Sequence, residues 1–494
     1  MNPDPSAAVP AAAPPAAANG DPGPPVAERA EYVWLYEKRK RIYARAVSGW
    51  FAGWRWALVW ATQLLFYGLP WLEWNARQAV LFDLEARRFF LFGLVLYPQD
   101  FIYLTALLII SAYALFLFTA VAGRLWCGYA CPQTVYSEIF MWVERRIQGD
   151  RAARMKRDAG PWTAQRLGRA AAKHAAWLAI ALWTGITFVG YFTPIRELVP
   201  AAIALGLGPW QTFWVLFYGF ATYGNAGFLR EQVCIYMCPY ARFQGAMFDR
   251  DTLIITYDEG RGEPRGSRSR KADARAAGLG DCIDCDLCVQ VCPTGIDIRK
   301  GQQYECIGCA ACVDVCNSVM DKMNYPRGLV RYTTLNGMAG QWSPQQIWQR
   351  VLRPRVLVYS AVLLLVAGAL VYSLATRSPV AIDVVRDRAV LARLVERGHI
   401  ENVYRLQIRN VTEREQRYAV RVQGIDGAVV DVRGRTDLGP VELRWVPLAV
   451  RVPPAVAQAL GPGAHRVVFV VERLASDRDA AAEVVQQSTF VVPR

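Results

Sequence analysis

Apolar residues along this chain are bunched into charge-free runs instead of being spread at core periodicity. The runs are Trp56–Leu72, Phe101–Gly123, His174–Ile195, Leu198–Leu229 and Val356–Thr376. A run near 20 residues matches the hydrocarbon thickness of a bilayer, so the pattern predicts five membrane-spanning helices. Beyond Arg377 the period changes to two. Tyr404, Leu406 and Ile408 alternate with Arg405, Gln407 and Arg409, while Tyr418, Val420 and Val422 mark a second strand and Val467, Phe469 and Val471 a third. With turn pairs such as Asp426-Gly427 and Pro462-Gly463, this predicts a β-sandwich of about 110 residues. It is immunoglobulin-like by fold-level analogy and carries no catalytic constellation.

Composition agrees with a membrane protein. Of 494 residues 53% are hydrophobic and 20% charged, with 17 tryptophans and a net charge of +14. This excludes a soluble enzyme, a collagen-like chain and a largely disordered one. The basic residues alternate between the connections. Lys38–Arg45 holds five, Arg124–Lys173 ten and Arg230–Arg355 seventeen; the connection after the first run holds three (Arg77, Arg87, Arg88), and that after the third only Arg196. Flanking Lys and Arg are retained in the cytoplasm, so the amino terminus and the connections after spans two and four are expected there. The tail from Arg377 is expected on the opposite side, despite its 18 Arg, because long domains translocate largely regardless of charge. The basic excess thus records orientation and anionic lipid; without a recognition motif, no nucleic-acid partner is expected. Residues 1–27 hold eight prolines and no Lys or Arg, which predicts a disordered tail and no cleaved signal.

All twelve cysteines fall in spaced motifs, and none lies in the β tail. The strongest is Cys282-Ile-Asp-Cys285-Asp-Leu-Cys288-Val-Gln-Val-Cys292-Pro293, followed by Cys306-Ile-Gly-Cys309-Ala-Ala-Cys312-Val-Asp-Val-Cys316. Each is a C-x2-C-x2-C-x3-C run, the bacterial two-cluster ferredoxin pattern, in which the fourth cysteine of each run serves the other cluster. Cys282, Cys285, Cys288 and Cys316 are therefore expected around one 4Fe–4S cluster, and Cys306, Cys309, Cys312 and Cys292 around a second. A structural zinc site uses four ligands in two pairs, which this repeat does not match. Asn317 stands where the pattern usually has proline, a change expected to tune one cluster.

The remaining four cysteines form a repeat. Cys127-Gly-Tyr-Ala-Cys131-Pro132 follows the second run and Cys234-Ile-Tyr-Met-Cys238-Pro239 the fourth, both reading C-x-Y-x-C-P. Equivalent positions in two helical hairpins imply convergence about a pseudo-twofold axis beside the ferredoxin insert. Proline favours the first helical position, making Cys131 and Cys238 candidate N-caps. A helix amino terminus lowers a thiol's pKa. Gln133–Gln148 is amphipathic enough to lie along the membrane surface. Soft thiolates near Met237 suit Cu(I); a disulfide relay, a further cluster or simple packing are the alternatives.

The chain resembles the FixG/CcoG/RdxA family of cytochrome c oxidase accessory proteins. The resemblance rests on RKRIYARAVSGWF, RLWCGYACPQTVYSEIFMWVER, EQVCIYMCPYARFQGAMFDRDTLIITYDEGRGEPRG, the ferredoxin runs, DKMNYPRGLVRY and Gly398-His399-Ile400-Glu401-Asn402-Val403-Tyr404. It implies a multi-pass protein of the bacterial cytoplasmic (inner) membrane, with the ferredoxin domain cytoplasmic and the C-terminal domain periplasmic. The implied activity is reduction of Cu(II) to Cu(I) for assembly of the cbb-type oxidase. Implied partners are copper ions and oxidase subunits or copper-delivery proteins; dimerisation is a further expectation. The alternatives are an electron-transfer subunit of a quinol-linked complex and a copper scaffold with structural or sensory clusters.

The resulting layout is a tail (1–30), a four-span domain (31–250), a linker and ferredoxin domain (251–350), a fifth span (355–376) and the sandwich (377–494). With no G-x-G-x-x-G after a strand and no C-x-x-C-H, the electron donor is expected to be another protein, a quinol or a soluble reductant. His174, His399 and His465 are expected to be structural or exposed. Trp50, Trp54, Trp71, Trp74 and Trp210 fit an interfacial belt. Arg261-Gly262-Glu263-Pro264-Arg265-Gly266 reads as a solvated linker or as a dock for the insert.

Overall fold

The computed structural model describes residues 41–494 except 76, 272–277, 379, 388–391, 476–479 and 494. The Pro/Ala-rich tail and Lys38–Lys40 lie outside the described residues. The chain divides into a short unit, Met1–Arg41, and a large one, Ile42–Arg494.

The large unit opens with α1 (Trp50–Gly68), whose first amides meet no capping group from the preceding residue. Their partner comes from the ferredoxin insert: Asp314 accepts from the N–H groups of Phe51 (3.2 Å) and Ala52 (2.7 Å). A carboxylate there satisfies orphan donors and faces the positive end of the helix dipole.

Then come α2 (Phe101–Ala122), α3 (Leu125–Tyr129), α4 (Pro132–Gln148), α5 (Arg151–Ala159), α6 (Ala164–Val189), α7 (Ile195–Ile203), α8 (Pro209–Gly224) and α9 (Pro239–Met247). Among the described residues three helices are long and apolar enough to cross a membrane: Pro98–Ala122, Ala164–Val189 and Pro354–Ala375. The other two runs behave differently. The first forms α1, which starts upstream of the run and buries Arg55. The fourth is broken: Leu205 turns at φ 54° and helix resumes only at Pro209, after Gly206 and Gly208. Proline lacks an amide donor and suits the first turn of a new helix, so the second helix of the run starts at Pro209, past the left-handed turn at Leu205.

Packing follows small residues and buried charge. A Cβ on Gly185 of α6 would collide with the Val215 carbonyl of α8, so these helices touch backbone to backbone. One face of α4 packs against α6 and buries Phe140, Met141, Val143 and Glu144. Glu144 is fully buried and meets Arg154 (2.8 Å), Arg230 (3.0 Å) and Lys173 (3.9 Å). Trp177 stacks on Phe140, and the cations Lys173 and Arg230 lie over its ring. Burial pushes the Glu144 carboxyl up, but the three cations outweigh it and hold the group below its ordinary 4.5.

At the other end, strands Val80–Asp83, Arg88–Leu91 and Leu94–Leu96 form a small antiparallel sheet where the sequence suggested only a connection. Leu81, Phe90, Val95 and Tyr97 share a core with Val441 of the C-terminal domain. That domain is a two-sheet antiparallel sandwich. One sheet pairs 429–432, 443–452, 400–410 and 380–386 in that order; the other pairs 437–438, 416–423, 463–473 and 482–492. Tyr404, Leu406, Ile408, Val467, Phe469 and Val471 fill its core, with Val420 and Val422 half-buried. Arg409, expected on the wet face, is buried instead: it pairs with Asp383 (3.0 Å) under the ring of Tyr97.

Asp314→Ala should destabilise the docking of α1 by about 0.5–2 kcal/mol, the usual worth of a capping side chain; a lowered thermal midpoint of the intact holoprotein checks it. Glu144→Gln should cost more, about 3–5 kcal/mol, because cations are left buried without their anion. A carboxyl with a depressed folded pKa stabilises above its unfolded value and loses that contribution as pH falls through the folded one. Acid titration of stability should therefore steepen below pH 4.5 in the parent and flatten in the Gln variant.

Candidate iron–sulfur and thiol site

The two ferredoxin runs adopt the same backbone. In the first, Asp284 and Asp286 turn left-handed (φ 52° and 54°); in the second, Gly308 and Ala310 do so at the equivalent places (φ 69° and 57°). Left-handed turns between cysteines bend the chain around a centre, at a cost that only glycine escapes. Cys282, Cys285, Cys288 and Cys316 line one cavity with Leu287, Val319 and Met320. Cys292, Cys306, Cys309 and Cys312 line a second, whose wall Cys288 also touches.

The donor chemistry fits clusters. Burial pushes Cys306 and Cys316 up to about 12 and Cys288 to about 11, and it raises Cys292 and Cys312 as well. Such thiols keep their protons at neutral pH unless a metal takes the proton's place. Among the described residues no three Cys, His, Asp or Glu groups converge on a point that would hold a single ion. Cysteines ringing a cavity suit a multi-iron cluster and not a lone zinc.

Basic side chains tie the first loop down. Arg299 bridges Asp284 (2.6 Å), Asp286 (2.6 Å) and Asp297 (2.8 Å). The Arg261–Gly266 stretch is no free linker: Arg261 pairs with Asp281 and the Arg327 carbonyl, and Gly266 donates to the Cys282 carbonyl at 3.2 Å. Arg268 adds bonds to the carbonyls of Gly280 and Cys282.

The four remaining thiols lie in one neighbourhood, though no three of them close on a common point. Cys127 lies on α3, Cys131 caps α4, Cys238 caps α9, and Cys234 lies in a wide π-turn, Val233–Met237. Cys127 lies within electrostatic reach of Cys131 and Cys234, Cys131 of Cys238, and Cys234 of Cys131 and Cys238. Burial raises Cys127 to about 12 and Cys234 to about 11. At Cys131 burial outweighs the amides of Gln133 and Thr134, so its thiol is raised and not lowered as a helix terminus alone would dictate. Met237 is 60% exposed.

This thiol set abuts the second cavity. A Cβ on Gly128 would lie 2.9 Å from both N and Cα of Cys309, and one on Gly308 3.2 Å from the Arg124 backbone. Cys127 and Cys234 pack on a core containing Cys309, Ile307 and Val291. Arg124 donates to the carbonyls of Tyr304 and Ala241, and Arg55 faces Glu138 (3.2 Å) and Cys309. Sequence reasoning passed over Gly128, Arg124, Arg55 and Asp314. The available signal was a buried-type arginine just before an apolar run and a glycine between two cysteines. The histidines are placed structurally: His174 bonds Tyr223 (2.9 Å), and His399 and His465 face carbonyls.

Comparison with known proteins bears on this geometry. A 4Fe-4S dicluster domain matches residues 229–335, a 4Fe-4S binding domain residues 104–149, and the IG-like fold at the C-terminal of FixG residues 370–493. Nitrogen fixation protein FixG of Rhizobium meliloti is 39% identical over 432 residues, 81% of this chain and 82% of that protein. The chain belongs to the FixG family. Protein RdxA of Cereibacter sphaeroides is 40% identical, covering 82% of this chain and 87% of its own length. The crystal structure of a FixG-related protein from Vibrio parahaemolyticus matches 23% of this chain and 97% of its own, at 23% identity and TM-score 0.20. With two 4Fe-4S matches of its own, this member of the family is an iron–sulfur electron-transfer protein.

Gly128→Ala should force the thiol turn away from the Cys309 loop, since backbone atoms cannot yield as a flexible side chain can. The altered electron paramagnetic resonance signal of one reduced cluster, with the other unchanged, is the expected readout.

Proposed function

We propose that this FixG-family protein reduces Cu(II) to Cu(I) at a bacterial cytoplasmic membrane, in support of cbb-type oxidase assembly. The reading has five spans, the ferredoxin insert in the cytoplasm and the sandwich in the periplasm, where oxidase subunits or copper-delivery proteins are its partners. Cys282, Cys285, Cys288 and Cys316 hold one 4Fe–4S cluster, and Cys306, Cys309, Cys312 and Cys292 the other. When bound, these groups supply one electron at a time, the number Cu(II) needs. Cys127, Cys131, Cys234 and Cys238 receive copper as substrate, and soft sulfur favours the reduced ion.

The observation that supports this most is the contact of Gly128 with the Cys309 backbone, which sets the thiol turn directly on the second cluster loop. Arg124, Arg55 and Gln244 do the positioning: the first fixes the turn to the Tyr304 carbonyl, the second neutralises Glu138 beside Cys309, and the third meets the Cys127 thiol at 3.6 Å. Partial burial limits the access of water to these thiols.

A second reading is favoured by the 4Fe-4S binding match over 104–149, which contains Cys127 and Cys131: the four thiols hold a further cluster, as in an electron-transfer subunit of a quinol-linked complex. Iron analysis separates the two. About eight iron atoms per chain supports the copper reading and about twelve the other. Anaerobically reduced protein, freed of reductant, should then convert Cu(II) to chelatable Cu(I) while the cluster absorbance recovers its oxidised form. Changing Cys127, Cys131, Cys234 and Cys238 to Ser should slow this at least tenfold. Clusters that stay reduced in the presence of Cu(II) would remove copper from the reading.

A further inference from the structure

One face of α1 is turned toward the second cysteine run. Arg55 follows Phe51 by four positions and Ala52 by three, so the three residues share a side of the helix. Ala52 and Arg55 are buried there, and the Phe51 ring packs on Tyr332 with 5.4 Å between centroids. Asp314 accepts from the amides of Phe51 and Ala52. The start of the helix is thus pinned to the segment between Cys312 and Cys316, and Arg55 stands one turn further on.

The charge on Arg55 is only partly answered. Its guanidinium meets Glu138 at 3.2 Å, but Arg145 meets the other oxygen of the same carboxylate, also at 3.2 Å. Two guanidiniums on one carboxylate leave a positive surplus, where the Arg55 and Glu138 side chains are both about nine-tenths buried. A buried charge needs an opposite one. After Glu138, the strongest electrostatic partner of Arg55 is Cys309, whose side chain lies within hydrogen-bonding reach of the guanidinium. Arg55 and Glu138 also line a small cleft with Cys234, Thr294 and Ile307, the last two neighbours of Cys292 and Cys306 in the chain.

A neutral thiol answers that surplus poorly. A cluster held by Cys292, Cys306, Cys309 and Cys312 answers it well, because four thiolates make it anionic and reduction adds one more negative charge. We propose that Arg55 raises the reduction potential of this second cluster, by aiming its positive charge and an N–H donor at the Cys309 sulfur. A cation so placed stabilises the reduced form more than the oxidised one, and hydrogen bonds to ligand sulfurs act in the same sense. Arg55 is a positioning residue: it acts through a ligand and touches no substrate.

The first run has the opposite surroundings. Its loop sets Asp284, Asp286 and Asp297 against Arg299, with Arg265 farther off at 3.7 Å from Asp284. Around the second run Arg124 adds to Arg55, within electrostatic reach of Cys306, while the charge of Asp314 is taken up by the α1 amides. The electron is thereby drawn toward the run on which the Gly128 turn rests and against which Cys127 and Cys234 pack. The inference rests on the two-cluster assignment and is independent of copper.

The test is a potentiometric titration of full-length holoprotein, followed by electron paramagnetic resonance of the reduced clusters. The parent should give two one-electron midpoints. Arg55→Gln should lower one of them by about 59 mV, a tenfold loss in a one-electron equilibrium, and leave the other in place. Glu138→Gln removes the anion that offsets Arg55 and should move the same midpoint upward. Disturbed packing would move both variants alike, so opposite signs mark an effect of charge. Equal cluster absorbance per chain shows that each variant is loaded; where Arg55→Gln is not, Arg55→Lys takes its place with a smaller downward shift. Three results overturn the proposal: an unmoved midpoint in the Arg55 variant, shifts of the same sign in the Arg55 and Glu138 variants, or equal movement of both midpoints. A parent lacking two cluster signals would instead remove the two-cluster assignment itself.

Discussion

The structure hangs on a backbone-to-backbone contact. The turn after α2 lays Gly128 on the amide and Cα of Cys309, and the partner glycine, Gly308, lies against Arg124. No side chain fits between them. The turn after α2 and a cysteine loop far apart in sequence are thereby held in close backbone contact. Electron exchange between metal groups falls steeply with distance, so this closeness is the geometric condition for any transfer between the two regions. The surrounding polar groups serve it. Arg124 is spent on carbonyls from both sides, and Asp314, placed between Cys312 and Cys316, holds down the start of α1.

Burial is the second constraint. Thiols in water titrate near their ordinary value, but most of those here are pushed well above it because the protein withdraws solvent from them. A dehydrated thiol is a poor nucleophile and a poor target for stray oxidants, yet it becomes a strong ligand once a metal displaces its proton. The same logic governs Glu144. Its charge survives full burial only because three cations converge on it, and that cluster fixes α4, which carries Cys131 at its start, against α6.

The far end of the molecule obeys different rules. There the sandwich and the small sheet of residues 80–96 share an apolar core, sealed by Arg77 and Glu413 and by Arg377 and Asp100. The last helix, Pro354–Ala375, packs beside α2, with Tyr103 bonded to Ser373 at 3.2 Å. The β domain is thus attached to the helical part at two points, its leading helix and the 80–96 sheet, so its placement does not depend on a single linker.

Local chemistry carries its own signature, so the sequence by itself determined a good deal. Cysteine spacing separates two groups of four, because a cubane's corners demand that repeat, and the cavities gather the same groups. Period-two alternation marks Tyr404, Leu406 and Ile408 as core because successive strand residues point to opposite faces. Proline after Cys131 and Cys238 places both at helix starts. Tertiary structure decided the rest. An apolar run does not reveal that it will break at Leu205, nor amphipathicity that one face of α4 will be held by a charge cluster whose members lie on α4, α5, α6 and the turn at Arg230. Arg409 alternates as a wet residue until Tyr97, more than 300 positions away, covers it. The approach of Gly128 to Cys309 belongs to a pair of segments, and no single stretch of sequence contains it. Spacing is a property of one segment of chain, whereas burial and contact depend on what the rest of the chain brings alongside it.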